Sequence, residues 1–245
     1  MREYRDQIAL LDKLSAIGIT QVEGYGGVYG DPKAYRAAMD ASGISMPSGH
    51  MLLNDIEDNF DTTLNIATAL GISCIFAPYL EEQERPDNTT GYTKLAHRLN
   101  AAAKRYAEYG ISFGWHNHDF EFVTLADGGV PMDILLEQAP DITWEADLAW
   151  VVRGKSDPFD YIRRYGSRLR AIHVKDIAKD GTNLDEDGWS DLGAGVLDWP
   201  ALLQACRNQS SGLIYALEHD NPSDPVGYAT RSAATFKNLW ENTHD

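Results

Sequence analysis

Basic side chains are scarce in this chain. Against 37 Asp and Glu there are only 21 Lys and Arg, a net charge of −16. Phosphate backbones are gripped by Lys and Arg that release counterions, so a nucleic-acid partner is not expected. Trp115, Phe120, Trp144 and Trp150 are accordingly read as packing or sugar-stacking rings rather than a base-stacking surface. An anionic membrane surface is disfavoured for the same reason. Long apolar runs are absent too: none approaches the ~18 residues of a membrane span. The opening Met1-Arg2-Glu3-Tyr4-Arg5-Asp6 lacks the apolar stretch of a secretory leader. Cysteine is nearly missing, with Cys74 and Cys206 far apart in apolar surroundings. Two buried free thiols are expected, not a disulfide framework or a thiolate metal site. A cytoplasmic location is the default expectation. No Ser/Gly linker or block of one charge marks a boundary. One domain over 1–245 is expected, since barrels of alternating strands and helices reach about 250 residues as a single unit.

What is present is a repeated local pattern. A helical stretch ends in Gly, followed by Ile, then Ser or Thr, then a short apolar run. It occurs at Gly18-Ile19-Thr20, Gly43-Ile44-Ser45, Gly71-Ile72-Ser73 and Gly110-Ile111-Ser112. Gly just past a helix end can take the left-handed conformation that closes the last carbonyls. The apolar run after it reads as a buried parallel strand. Helix, Gly and strand in repetition give an α/β architecture.

Strands are predicted near 19–24, 44–49, 72–78, 111–117, 142–147, 170–175 and 213–218. Amphipathic helices are predicted at Tyr4–Ile17, Thr62–Leu70, Thr93–Tyr109 and about Asp157–Tyr165, with another opening at Trp199. Asp157-Pro158 supplies an N-cap with Pro at the first helical position. Seven strands are one fewer than a closed (β/α)8 barrel needs, and the chain begins directly in a helix. The expected fold is therefore a TIM-type (β/α)8 barrel lacking its usual first strand, with Met1 an internal methionine or a shortened start. Two unpaired strand edges would follow, to be covered by another chain or a rearranged segment, and a homo-oligomer is expected.

In such barrels the functional side chains stand at the C-terminal ends of the strands. Four predicted ends carry metal-type ligands: His116-Asn117-His118-Asp119, Trp144-Glu145-Ala146-Asp147, His173-Val174-Lys175-Asp176 and Glu218-His219-Asp220. Side chains two apart on a strand share a face, which pairs His116 with His118 and His173 with Lys175. Mixed imidazole and carboxylate donors suit one divalent ion: Mn, Mg, Co or Zn. Each residue also has an ordinary explanation. Asp147 can cap a helix, and a lone strand-end His is usually a hydrogen-bonded polar group. Co-occurrence on four ends favours a site.

These motifs, with Trp150, Gly154, Asp157-Pro158 and Leu192-Gly193-Ala194-Gly195, resemble the xylose isomerase-like TIM-barrel superfamily from about residue 8 to the end. That superfamily holds sugar (phosphate) isomerases and epimerases, inosose and 3-dehydroshikimate dehydratases, hydroxypyruvate isomerase and endonuclease IV. The resemblance implies a divalent ion held by Asp147, His173 and Glu218, with His116 or His118 as the fourth protein ligand. His116 stands where many members have a first Glu ligand, and Trp150 where many epimerases have a His. The His-Asn-His-Asp-Phe-Glu-Phe run is more similar to myo-inositol and keto-sugar enzymes.

The function so implied is isomerisation or epimerisation of a keto- or aldo-sugar or polyol through an enediolate. Glu218 and His118 would move the proton from opposite sides, and Lys175 would stabilise the developing charge. Glu23 and His50 are candidate substrate contacts at the first two strand ends, and Trp150 a ring for sugar stacking. A dehydratase shares the first half of this chemistry. An endonuclease IV-like phosphodiesterase is disfavoured by the charge and by seven His in all, one of them, His244, at the tail. A sugar-binding protein without catalysis would bind no metal. Gly193-Ala194-Gly195 could cradle an anion or be a plain turn. With no Arg cluster beside it, a non-phosphorylated substrate is expected.

Overall fold

Asp side chains start many of the helices, and glycines stop those that feed the early strands. The computed structural model describes residues 6–242. Helix α1 spans Gln7–Ala16, α2 Pro32–Ser42, α3 Leu53–Asp58, α4 Phe60–Leu70 and α5 Thr89–Ala107. Then come α6 Pro131–Gln138, α7 Leu148–Arg153, α8 Pro158–Tyr165, α9 Trp199–Gln209 and α10 Pro225–Asn242. Asp6, Asp31, Asp147, Asp157 and Asp198 each accept a backbone N–H of the first turn that follows, an N-cap that offsets a donor the helix leaves unpaired. Gly18, Gly43, Gly71 and Gly110, the four glycines of the repeat, all have φ between 67° and 84°. A Cβ is strained in that region.

The strands are β1 Gln21–Gly24, β2 Ser45–His50, β3 Cys74–Ala77, β4 Ser112–His116, β5 Thr143–Asp147, β6 Leu169–Val174 and β9 Ile214–Leu217. All pair in parallel and in that order. A separate two-stranded antiparallel ribbon, β7 Asp176–Ile177 with β8 Trp189–Ser190, follows β6. The main sheet is thus a nearly closed barrel of seven strands, the TIM barrel with one strand missing that the strand count predicts. Among the described residues no strand lies between β1 and β9. A cavity of about 1110 Å³ occupies that place, walled by Leu10 and Leu14 of α1, Tyr215 and Leu217 of β9, and Phe236 and Trp240 of α10. Every residue of β9 is consequently half-buried, whereas all four of β3, which has neighbours on both sides, are fully buried.

The first helix begins at Gln7; Tyr4 and Arg5, assigned to it from sequence, lie outside the described residues, as does His244. The helices α3, α6, α7 and α10 and the ribbon are additions to the sequence reading. Cys74 and Cys206 are both free and buried, and burial pushes each thiol up to about 12. No helix among the described residues is long and apolar enough to cross a membrane.

Candidate metal and sugar site

Strand register brings the ligand-type side chains into two adjoining groups. Asp147 at the end of β5 lies beside His173 of β6, and His116 at the end of β4 lies beside Glu145 of β5. The first group is Asp147, His173 and Glu218, with one donor atom from each within 4.8 Å of the others. The second is His50, His116, Glu145 and His173, all buried and equally close.

Asp147 has two tasks at once. Its Oδ1 accepts the Trp150 N–H at 2.9 Å and caps α7, while its Oδ2 is buried with no hydrogen-bond partner. Burial pushes this carboxyl up to about 7, although Lys175 pulls the other way. His173 Nδ1 is also buried without a hydrogen bond and lies 3.3 Å from Glu218 Oε2. Its Nε2 meets Glu23 Oε2 at 2.8 Å and Glu145 Oε2 at 3.4 Å. Burial alone would discharge the His173 ring, but Glu145, Glu218 and Glu23 outweigh it and raise its pKa well above the usual value.

A divalent ion fits the first group. Its donors are a carboxylate oxygen and an imidazole nitrogen left unsatisfied in the interior, plus a second carboxylate. Their spread suits ligand distances of about 2.0–2.2 Å. The opposite nitrogen of His173 is already fixed by carboxylates, as metal-binding imidazoles usually are. His116 does not join this group; its Nδ1 is 3.1 Å from Glu145 Oε2.

The second group is tied together internally. Glu145 Oε2 lies 2.6 Å from His50 Nε2. Burial opposes its charge, but His173 and His50 hold this carboxyl well below its usual range. Glu23 and His50, read from sequence as candidate substrate contacts, are part of this network: Glu23 accepts from Ser48 Oγ at 2.6 Å and sits 3.2 Å from His50. His50 also lines a cavity of about 700 Å³, whereas Glu23 faces the gap beside β1.

Lys175 is fully buried. Its Nζ donates to Asp220 at 2.5 Å and Glu218 at 3.0 Å, and stands 3.7 Å from Asp147 Oδ2. Burial works against its charge, yet Glu218, Asp147 and Asp220 raise its pKa. The ammonium also lies 4.1 Å from the Trp189 ring centre. His118 follows β4, with its ring 5.0 Å from His116 and 5.3 Å from Trp150. Its Nδ1 has no hydrogen-bond partner. Burial, then His116 and Lys175, push its pKa down to about 2, so the ring is neutral. Trp150 packs edge-on against Trp189.

Sequence reasoning assigned no role to Glu145, Glu121, Asp220 or Trp189. Glu145 carried a usable signal, since it stands two residues before Asp147 and shares its face. Glu121 is fully buried and accepts Trp115 Nε1 at 3.0 Å and the His118 N–H at 2.9 Å, fixing the turn that presents His118. The Gly193-Ala194-Gly195 loop cradles an anion, but an internal one: Asp176 accepts the N–H groups of Gly193, Gly195 and Leu197.

Above these groups opens a cavity of about 700 Å³, lined by His50, His116, His118, Glu218 and Asp220 on one side. The sequence pattern of xylose isomerase-like TIM barrels matches residues 11–239. Among solved structures, a sugar phosphate isomerase/epimerase from Parabacteroides distasonis is 22% identical, with a TM-score of 0.78 over 95% of this chain and 88% of that one. A probable 3-DHS dehydratase from Bacillus anthracis is 12% identical, with a TM-score of 0.75 over 97% and 96%. A xylose isomerase-like TIM barrel protein from Mycobacterium smegmatis, in complex with magnesium, is 12% identical with a TM-score of 0.72 over 96% and 88%. No protein of curated function matches the chain.

Proposed function

Since the chain belongs to the xylose isomerase-like TIM-barrel family, we propose that it is a divalent-metal-dependent isomerase or epimerase of an uncharged keto- or aldo-sugar or polyol. The observation that carries this is the meeting of Asp147 Oδ2, His173 Nδ1 and Glu218, two of those atoms buried and unsatisfied, with Glu218 also lining an open cavity. An ion such as manganese or magnesium held there supplies Lewis-acid polarisation of a carbonyl and its neighbouring hydroxyl, which acidifies the hydrogen on the carbon between them.

The chain's own groups handle the proton. His118, neutral with a vacant Nδ1, is the group assigned to take the proton from carbon; burial, His116 and Lys175 depress its basicity, and the negative charge that develops on the enediolate restores it as the proton moves. Lys175 keeps a fixed positive charge beside Glu218, where negative charge develops on the sugar oxygens as the enediolate forms. Glu218 faces the same cavity and, entering the step protonated, delivers its own proton to the neighbouring carbon for isomerisation or to the opposite face for epimerisation, while His118 keeps the one it removed until solvent takes it. Trp150 limits where the His118 ring can swing. Loss of a β-hydroxyl from the same enediolate would give a dehydratase, a reading supported by the likeness of fold to the Bacillus anthracis protein.

The test is a panel of keto-sugars, aldoses and inososes incubated in D2O with manganese-loaded protein. Deuterium should enter carbon, and a product lighter by one water would assign the dehydratase. In His118→Gln the exchange rate should fall by roughly 100-fold or more, the usual contribution of a positioned base. No exchange into any sugar by folded, metal-loaded protein would refute the reading.

A further inference from the structure

The cavity above the site is larger than a monosaccharide requires. A six-carbon sugar fills on the order of 200 Å³, six or seven water volumes at about 30 Å³ each, against about 700 Å³ here. The surplus is mostly apolar. Away from the histidines Tyr25, Tyr29, Leu52, Ile66 and Tyr79 make most of the wall, with Asp55, Asn59, Thr62 and Thr63 among them. Leu52 is 59% exposed at the mouth, an apolar side chain with little of its own surface covered.

The cavity also has no receptor for an anion. No Lys or Arg is among the described residues that line it, while Asp55, Glu218 and Asp220 are. The nearby cations are engaged. Lys175 is held among three carboxylates. Arg85 lies 3.7 Å over the Phe120 ring, with its nitrogens donating to the Tyr79 hydroxyl and the Leu80 carbonyl. The glycine loop, the one backbone cradle near β6, is filled by Asp176. A phosphorylated sugar would meet carboxylates and aromatic rings with no cationic side chain in the lining to compensate it.

We propose that the site takes an uncharged sugar bearing a flat apolar substituent, as in an aryl glycoside. The sugar ring sits among His118, Glu218 and Asp220, and the substituent lies in the arm walled by Tyr25, Tyr29, Leu52 and Ile66. The place of the sugar ring rests on the isomerase or epimerase reading; the arm rests on the cavity alone. Aromatic side chains and an open leucine offer a planar ring stacking area and release of water.

Calorimetric titration of manganese-loaded protein with matched pairs tests this without turnover. Phenyl and methyl glycosides of glucose, galactose and xylose differ only in the group that would enter the arm; the 6-phosphates of glucose and galactose test the anion. At least one phenyl glycoside should bind tenfold or more tighter than its methyl partner, and neither phosphate tighter than its parent sugar. Leu52→Asp should bring the phenyl-to-methyl ratio close to one. Leu52 occupies the N-cap position of α3, where Asp is a favoured residue, so the fold is not at risk. Equal binding within every pair, tighter binding of a phosphate, or a phenyl advantage that survives Leu52→Asp would overturn the proposal. A phenyl preference without deuterium exchange in any sugar would leave the arm standing and remove the reaction. Exchange without a phenyl preference would do the reverse.

Discussion

Replacing Lys175 with Met removes a buried ammonium while nearly keeping the side chain's volume. Three carboxylates are then left facing one another: Asp220 and Glu218, which lay 2.5 and 3.0 Å from Nζ, and Asp147, which lay 3.7 Å away. Breaking a buried ion pair by deleting one partner costs about 3–5 kcal/mol. Two features favour the lower end. Asp220 keeps a third of its side-chain surface in water, and Asp147, pushed up to about 7, can take a proton near neutrality. The expected loss is about 3 kcal/mol. At roughly 2–4 °C per kcal/mol for a chain of this size, Tm should drop by about 6–12 °C. The assay is thermal and urea unfolding in EDTA, repeated with increasing manganese. Because the ion would bring positive charge to the same carboxylates, the deficit should shrink as manganese is added, more steeply than in the wild type. A variant within about 0.5 kcal/mol of wild type in EDTA would refute the reasoning. So would a deficit that manganese leaves untouched.

Asp147→Asn keeps the cap on α7 through an amide oxygen but removes the carboxylate charge that faces Glu218. Manganese affinity by calorimetry should fall at least about 100-fold, as much as loss of a supporting partner alone can cost, with helix content unchanged; unaltered affinity would place the ion elsewhere, the His50, His116, Glu145 and His173 group being the next to probe. Glu121 gives a pH signature. Burial raises its carboxyl from 4.5 to about 8 despite the bonds from Trp115 and His118, so over that window the native state holds a proton that the unfolded chain has lost. Its contribution is complete below the unfolded pKa and fades as pH rises through the folded one. The stability of wild type minus that of Glu121→Gln should therefore fall from pH 5 to pH 8, by up to about 1.4 kcal/mol per unit. Urea unfolding across that range checks it, and a flat difference would mean the carboxylate is ionised throughout.

The barrel was legible because its signals are local. Each Gly-Ile-Ser/Thr junction joins a helix end to a strand start within three residues, and the missing strand is a simple count. Helix α7 was hidden because it starts on the last residue of β5, with no linker to announce it; Leu148-Ala149-Trp150-Val151-Val152 reads as a continuation of the strand. Ribbon β7–β8 is two residues wide on each side and has no period to detect. Within the site, Asp147, His173 and Glu218 could be named from strand ends and resemblance. The union of Glu23 with His173 joins residues 150 positions apart through the barrel interior, and nothing local encodes it. Nor could the sequence show that Asp176 fills the glycine loop. A Gly-rich turn looks the same whether its amides await a ligand or already hold a carboxylate.

The gap in the wall bears on how the two carboxylates flanking the ion site are mounted. Asp147 stands on β5, clamped by β4 and β6. Glu218 follows β9, which has β6 on one side and the cavity on the other. Tyr228 Oη donates to the Glu218 carbonyl at 2.6 Å and is a tether from α10, not a second strand. The site is built like a vice with one fixed jaw and one sprung jaw. In the proposed reaction, ions of different radius, and a sugar carbon that flattens and then puckers again as a proton leaves and another arrives, would ask for a small movement between the jaws. Here that travel falls to the strand with least to break.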